Sequence, residues 1–224
     1  RGVIAERSGI ISPTLEGYML GGAFAAVVGT FYSGRPVVGA LCGIGGGAVL
    51  ALIHAIASIR YRADQVIVGI AINLFAIGIT RFFLKLLFDS SSNSPRVGGF
   101  ASGYANPLLW LGLLSTPLVA FMLFRTTFGL RVRATGEKPE AAASVGVPVH
   151  RVQYMAVLLS GALAALGGVY LALDQHQFTD QMTAGRGFIA VAAVIFGRWS
   201  PLRAGAACLL FAAAETVQIH LQGN

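Results

Sequence analysis

The sequence predicts an all-α membrane protein: a polytopic helical bundle of about six or seven membrane segments, in a single domain over residues 1–224. Three observations carry this expectation. Hydrophobic residues make up 55% of the chain and charged residues 11%, with a mean hydropathy of +0.72, a balance foreign to water-surrounded domains. The apolar residues fall into runs that match the ~30 Å hydrocarbon core at a helical rise of 1.5 Å per residue. The 29 glycines suit helices packed closely in lipid, where small residues let backbones approach. No period-two alternation runs long enough for a membrane β-barrel.

In chain order the runs are Pro13 to Tyr32, Val37 to Ser58, Val66 to Phe88, Pro107 to Phe124 and Val152 to Leu173. The apolar stretch from Phe188 to Gln218 is broken at GRWSPLR, which leaves Phe188 to Gly197 too short to cross unaided. It reads either as two tilted helices or as a re-entrant segment followed by one helix. Cys42 and Cys208 each lie inside an apolar run and read as small buried thiols rather than a disulfide framework. The chain opens at RGVIAERSG, without the basic flank, apolar core and cleavage site of a secretory signal, and reads as a fragment.

Arg125 to Arg151 is the one long polar interval. It holds Arg125, Arg131, Arg133, Lys138 and Arg151, five of 16 basic residues. Because Lys and Arg in short loops mark the cytoplasmic side, this interval is expected inside. Alternation then places residues 1 to 12 and Ile59 to Gln65 inside as well. Ser33 to Pro36, Asp89 to Asn106 and Asp174 to Gly187 fall outside, a division of nine basic residues against Arg35, Arg96 and Arg186. Within the interval Pro139 suits a first helical turn, Glu140 complements the helix dipole, three alanines propagate the helix, and Gly146 with Pro148 ends it. The formal charge of +7 is explained by these loops, so nucleic-acid binding is set aside.

Three stretches together resemble the membrane-spanning permease subunit of bacterial ABC importers for nucleosides and related simple sugars, of the branched-chain amino acid and ribose type. They are ERSGIISPTLEGYMLGGAFAAV, GLRVRATGEKPEAAASVGVPVHRVQYMAVLLSGALAALGGVYLAL and MTAGRGFIAVAAVIFGRWSPLRAGAACLLFAAAE. The resemblance covers nearly the whole chain in the family's order. It implies a permease of the bacterial cytoplasmic (inner) membrane that passes a substrate delivered by a periplasmic or lipoprotein binding protein. A second permease subunit, identical or homologous, would complete the pathway, and a separate ABC ATPase would use ATP and Mg, with no cofactor bound by this chain. It also implies that Gly136, Glu137, Pro139, Glu140, Ala141, Ala142, Ala143 and Gly146 form the segment that couples to the ATPase, and that spanning helices precede the ERSG motif.

Several polar residues stand at membrane depth. Glu16 lies one turn into an apolar helix, where a carboxylate costs roughly 2.5–3.5 kcal/mol at the helix centre unless it meets a cavity or partner. It reads either as a substrate-pathway residue or as a first-turn acid near the headgroups. The family carries a Glu-Gly pair here after Asn-Ile-Gly, where this chain has Ser12, Pro13 and Thr14. Asn73 and Thr80 share a helix face. A helix-to-helix hydrogen bond and substrate contact are the two readings, the second favoured by the family's similar N-L-x-x-x-G-x-T pattern. Arg81 and Lys85 read as snorkelling cations. Thr183, Gly185 and Gly187 read either as an ordinary loop with a glycine turn or, as the resemblance favours, as the opening of an interrupted helix; transporters often build sites from such interruptions in corresponding halves, here Ser8 to Thr14 and Thr183 to Gly187. Glu215 faces the same choice as Glu16.

No HExxH, CxxC or GxSxG spacing occurs, His54, His150, His176 and His220 are scattered, and no GxxxxGK[ST] loop is present, so no metal, nucleophile or ATP site is expected in this chain. The chain is therefore not expected to be an enzyme. A self-contained secondary transporter or channel is the alternative the hydrophobic pattern equally permits. The short capped helix between two spanning helices separates them, because a lone carrier has no need to present one.

Overall fold

The computed structural model describes residues 2–100 and 106–222, with side chains as far as Gln218. The apolar runs form helices α2 (Leu15–Ser33), α3 (Pro36–Ala55, continued by a π-helical turn Ile56–Arg60), α4 (Gln65–Phe88), α5 (Pro107–Arg125), α8 (Val149–Asp174), α9 (Arg186–Phe196) and α10 (Pro201–Gln222). Short α1 (Val3–Arg7) precedes them, and α6 (Thr127–Glu137) and α7 (Pro139–Ser144) lie between α5 and α8. Arg1 and residues 101–105 of the expected outer loop lie outside the described residues, as does the His220 side chain.

The helix ends follow from local chemistry. Asp64 accepts hydrogen bonds from the Val66 and Ile67 amides at the start of α4. Asn106 caps Leu108 with Pro107 in the first turn of α5, the position that needs no amide hydrogen. α7 ends where Gly146 turns left-handed at φ 83°, as a helix-terminating glycine does.

Among the described residues four helices are long and apolar enough to cross a membrane: α3 with its π turn, α4, α5 and α8. α2, expected as a fifth, is not among them. It packs against α3, α4, α8 and α9, and Glu16, Gly17, Gly22 and Thr30, which lower its apolar character, are among its buried positions. The α2–α8 approach is so close that a Cβ on Gly168 would overlap the Met19 carbonyl. By contrast α4 and α5 leave Ile67, Leu74, Phe82, Leu114, Leu118 and Phe121 exposed, as lipid-facing surfaces require. Cys42 and Cys208 are also exposed, which corrects the reading of both as buried thiols.

The loops gather at two ends. At one end Gln65 accepts from the Ile11 amide, Gly136 lies against Arg7 and Gly9, and Arg7 donates to the Trp199 carbonyl. At the other, Ser92, Ser94 and Val97 exchange backbone hydrogen bonds with His176, Phe178 and Asp180. The alternation read from charge thus matches which loops share an end.

Beyond α8 the chain turns back into the bundle. Phe178 is fully buried with its ring edge-on to Phe24 at 5.2 Å, Thr183 reaches Glu16, and α9 carries the chain about 16 Å further at helical rise to Trp199 beside Arg7. This crossing is half irregular backbone and half helix, and such backbone is tolerated at membrane depth where protein buries it. It corrects the placement of Arg186 among the outer residues. Arg186 opens α9 beside Glu16 and pairs with Glu215 at 3.1 Å. Arg81 likewise does more than reach for the interface: its guanidinium grips both Asp180 carboxylate oxygens, tying α4 to the returning loop.

Candidate functional site

The site forms where two interrupted helices meet. Residues 8–14 break the chain before α2, and residues 175–185 break it before α9. Both helices begin inside the bundle, and their first-turn amides lack partners within their own helix. Glu16 meets that need for α9. Its Oε1 accepts from the Thr183 hydroxyl at 2.5 Å and the Gly185 amide at 3.0 Å, and its Oε2 accepts from the Gly187 amide at 2.7 Å. A carboxylate on a helix N-terminus is favoured by both the amide donors and the helix dipole, which accounts for an acid only 8% exposed among apolar neighbours.

Backbone geometry leaves little freedom. Gly185 holds φ at 81°, a left-handed conformation open to glycine without strain. Gly187 is helical, but a Cβ there would overlap the backbone nitrogen and Cα of Glu16. Thr183, Gly185 and Gly187 are therefore brought together on one carboxylate.

Asn73 stands one helix away and serves α2. Its Oδ1 accepts from the Gly17 amide at 2.8 Å and its Nδ2 donates to the Pro13 carbonyl at 3.1 Å, so a single amide side chain supplies both a donor and an acceptor to the broken backbone. At 5% exposure it is a helix-to-helix clamp in this conformation. Thr80, on the same face, returns its hydroxyl to the Ala76 carbonyl of its own helix and is not drawn into the Glu16 group.

Residues Gly136 to Gly146 lie apart, at the basic end. A Cβ on Gly136 would overlap the Arg7 carbonyl, so α6 is seated directly on the segment after α1. Glu137 lines a crevice of about 230 Å³ with Glu6, Arg7, Arg133, Gly136 and Trp199. The Trp199 indole donates to Glu6 at 2.5 Å, and burial nonetheless raises the Glu6 carboxyl above its ordinary value. Pro139, Glu140, Ala141, Ala143 and Gly146 are exposed, whereas Ala142 is turned inward at 4% exposure. The three alanines thus do not form one continuous outer face: helical geometry points Ala142 back at the protein while its neighbours look out.

Sequence reasoning missed α6, Asp180 as the partner of Arg81, and Thr14 as the partner of His54 at 2.7 Å. The glycines at 129 and 136 weaken the helical signal of α6, and its identity rests on burial of Val132 and Thr135.

Comparison with known proteins places this geometry in a transport family. Residues 3–224 match the model of the branched-chain amino acid transport system / permease component family. The chain is 36% identical to the guanosine ABC transporter permease protein NupQ of Bacillus subtilis, over 97% of this chain and 76% of that protein. It is 35% identical to the nucleoside ABC transporter permease protein NupC of Lactococcus lactis, over 94% and 74%. With the putative glucose ABC transporter permease protein TsgC13 of Haloferax volcanii it shares 36% identity, over 98% and 72%. No solved structure matches. The chain, a multi-pass membrane protein with its interrupted helices joined at Glu16, belongs to the branched-chain amino acid transport system / permease component family of transport permeases.

Proposed function

We propose that this chain forms the transmembrane pathway of an ATP-driven importer for a nucleoside or related simple sugar in the cytoplasmic membrane. An external binding protein delivers the solute, a second permease subunit completes the pathway, and a separate ATPase binds ATP and Mg. The observation that carries this reading is the match along almost the whole chain to relatives named for guanosine and nucleosides. The surface helix α7 supports it, since its exposed Pro139, Glu140, Ala141 and Ala143 offer a small, smooth contact between spanning helices α5 and α8.

In the proposed mechanism the Glu16 joint holds α9 across the pathway. Glu16, Thr183, Gly185 and Gly187 close on one another, and Asn73 fixes the start of α2 beside them, with Thr80 higher on that face. Movement of α7 against the ATPase passes through α6 and the Arg7–Trp199 contact into α9 and loosens that joint for solute passage. The basic end, which holds Gly136, Glu137 and Gly146, faces the cytoplasm in this reading.

Reconstitution in liposomes with the ATPase and binding protein, followed by uptake of labelled guanosine and glucose, tests the proposal. Uptake that needs ATP and all subunits is expected. Uptake by the permease alone without ATP would instead identify a self-contained carrier. A cysteine at Glu137 should react with an impermeant thiol reagent only from the cytoplasmic side, and one at Asn93 only from outside.

A further inference from the structure

Arg186 and Glu215 form an ion pair at membrane depth on the outside of the bundle. The Arg186 Nη2 donates to Glu215 Oε1 at 3.1 Å, and the two side chains remain 39% and 45% exposed. α4 supplies the depth scale. Asn73 stands about 12 Å beyond Gln65 at helical rise and accepts from the Gly17 amide, next to Glu16. Arg186 lies between Gly185 and Gly187, whose amides both donate to Glu16, so α9 begins at that same depth. The position of Glu215 agrees, about 21 Å along α10 from Pro201 at the same rise.

This surface does not suit lipid. At the same depth α4 turns Leu74 and Phe75 outward. α10 instead is exposed at every residue from Cys208 to Gln218, a stretch that includes Glu215, Thr216 and Gln218. Charged groups at such depth are costly against hydrocarbon tails and face protein or water. The pair also has bonding capacity to spare. It spends one guanidinium nitrogen and one carboxylate oxygen on itself, and a guanidinium and a carboxylate can each bond to several partners.

We propose that the α9–α10 face is a membrane interface with a second copy of this chain, arranged about a two-fold axis beside the Arg186–Glu215 pair. A two-fold contact sets one patch against itself, and a neighbouring cation and anion are then their own complement. Arg186 faces the partner's Glu215, and Glu215 faces the partner's Arg186. Both charges leave the lipid, and the pair needs no other sequence to satisfy it. Ala212, Ala213 and Ala214, all exposed, let the two α10 helices approach closely. The inference rests on the proposed importer only for the presence of a second permease subunit, and its tests read association rather than uptake.

Single cysteines placed in turn from Phe211 to Gln218, with Cys42 and Cys208 replaced by alanine, are oxidised in membranes that hold the whole transporter. Cross-linked permease dimers are expected at positions that recur every three or four residues around Glu215, and not at Leu74 on α4 or Leu114 on α5. No dimer at any α10 position, or cross-links only to a different protein, overturns the interface. A second measurement uses two differently tagged copies. Glu215→Lys leaves one copy with two cations at the pair, and Arg186→Glu leaves the other with two anions. Co-purification of the mixed pair should exceed that of either like-charged pair about tenfold or more, since like charges set face to face oppose association. Equal recovery of mixed and like pairs overturns the proposal, and the cysteine measurement, which leaves both charges in place, decides should either variant fail to fold. Dimer cross-links without ATP-driven uptake would refute the importer alone, and uptake without cross-links would refute the interface alone.

Discussion

Thr183 to Gly187 is anchored in the bundle by its buried ends, Thr183 and Gly187, whereas Pro139 to Gly146 stands on the surface apart from Ala142, although both stretches are short and punctuated by glycine. Their glycines show the difference. A Cβ on Gly187 would overlap Glu16 backbone, while Gly146 has nothing within 4 Å but holds φ at 83°. One glycine is required for space and the other for backbone conformation. The sealed stretch spends its amides on a carboxylate of the same chain. The open one ends its helix on its own carbonyls, with the Gly146 amide on Ala143 and the Val147 amide on Ala142. The buried joint is therefore held by a distant segment, whereas the surface helix holds its own end and leaves most of its residues exposed.

Gly187→Ala tests the sealed side most severely. Because backbone rather than a flexible side chain opposes the new methyl, a loss of about 3 kcal/mol or more is expected, seen as little folded permease after detergent extraction. Near-normal yield would mean that α9 can move away from Glu16 at low cost. Glu16→Ala should cost about 2–3 kcal/mol, the scale of lost hydrogen bonds to a charged group, and should abolish uptake before it abolishes membrane insertion. Thr183→Val, which removes one of the three donors, should lower the melting midpoint by less.

On the open side Gly146→Ala should cost only about 1 kcal/mol, the strain of a left-handed alanine. Ala143→Asp and Ala142→Asp then sharpen the comparison within one helix. The exposed Ala143 variant should unfold within about 0.5 kcal/mol of the parent yet fail to co-purify with the ATPase. Ala142→Asp buries a charge and should destabilise the α6–α7 region itself, so Ala142 is the wrong position for a clean coupling test. Retained co-purification of the Ala143 variant would remove α7 from the ATPase contact.

The smallest effect is expected at Glu6, in the crevice between α6 and the Trp199 turn. Its folded-state pKa is raised from 4.5 by burial, against the opposing Trp199 hydrogen bond. Protons are therefore bound more tightly in the folded than in the unfolded protein, and stability falls as pH rises from about 4.5 through the raised value. Glu6 is partly exposed, so solvent screening keeps the change small. Melting midpoints of the parent and Glu6→Gln between about pH 4 and 7 check this: the parent should lose stability relative to Glu6→Gln as pH rises.

Composition, run length and helix punctuation were legible in the amino acids alone, because lipid and backbone conformation act on each residue where it stands. They determined the all-helical membrane class, the starts of α5 and α7 at Pro107 and Pro139 and that of α4 to within one residue, the stop at Gly146, and the grouping of basic loops at one end. Glu16, Asn73, Thr183, Gly185 and Gly187 were recognisable as polar or glycine residues out of place. What they hold was decided only by the tertiary structure: Glu16 and Thr183 are 167 residues apart, and Asn73 lies 56 residues from the Gly17 amide it accepts. The inward turn of Ala142, the return of Arg186 to the depth of Glu16 and the formation of α6 around buried Val132 were decided the same way. Each depends on which surface a distant segment brings alongside, and a hydrogen-bond partner or a packed neighbour leaves no periodicity in the sequence that acquires it.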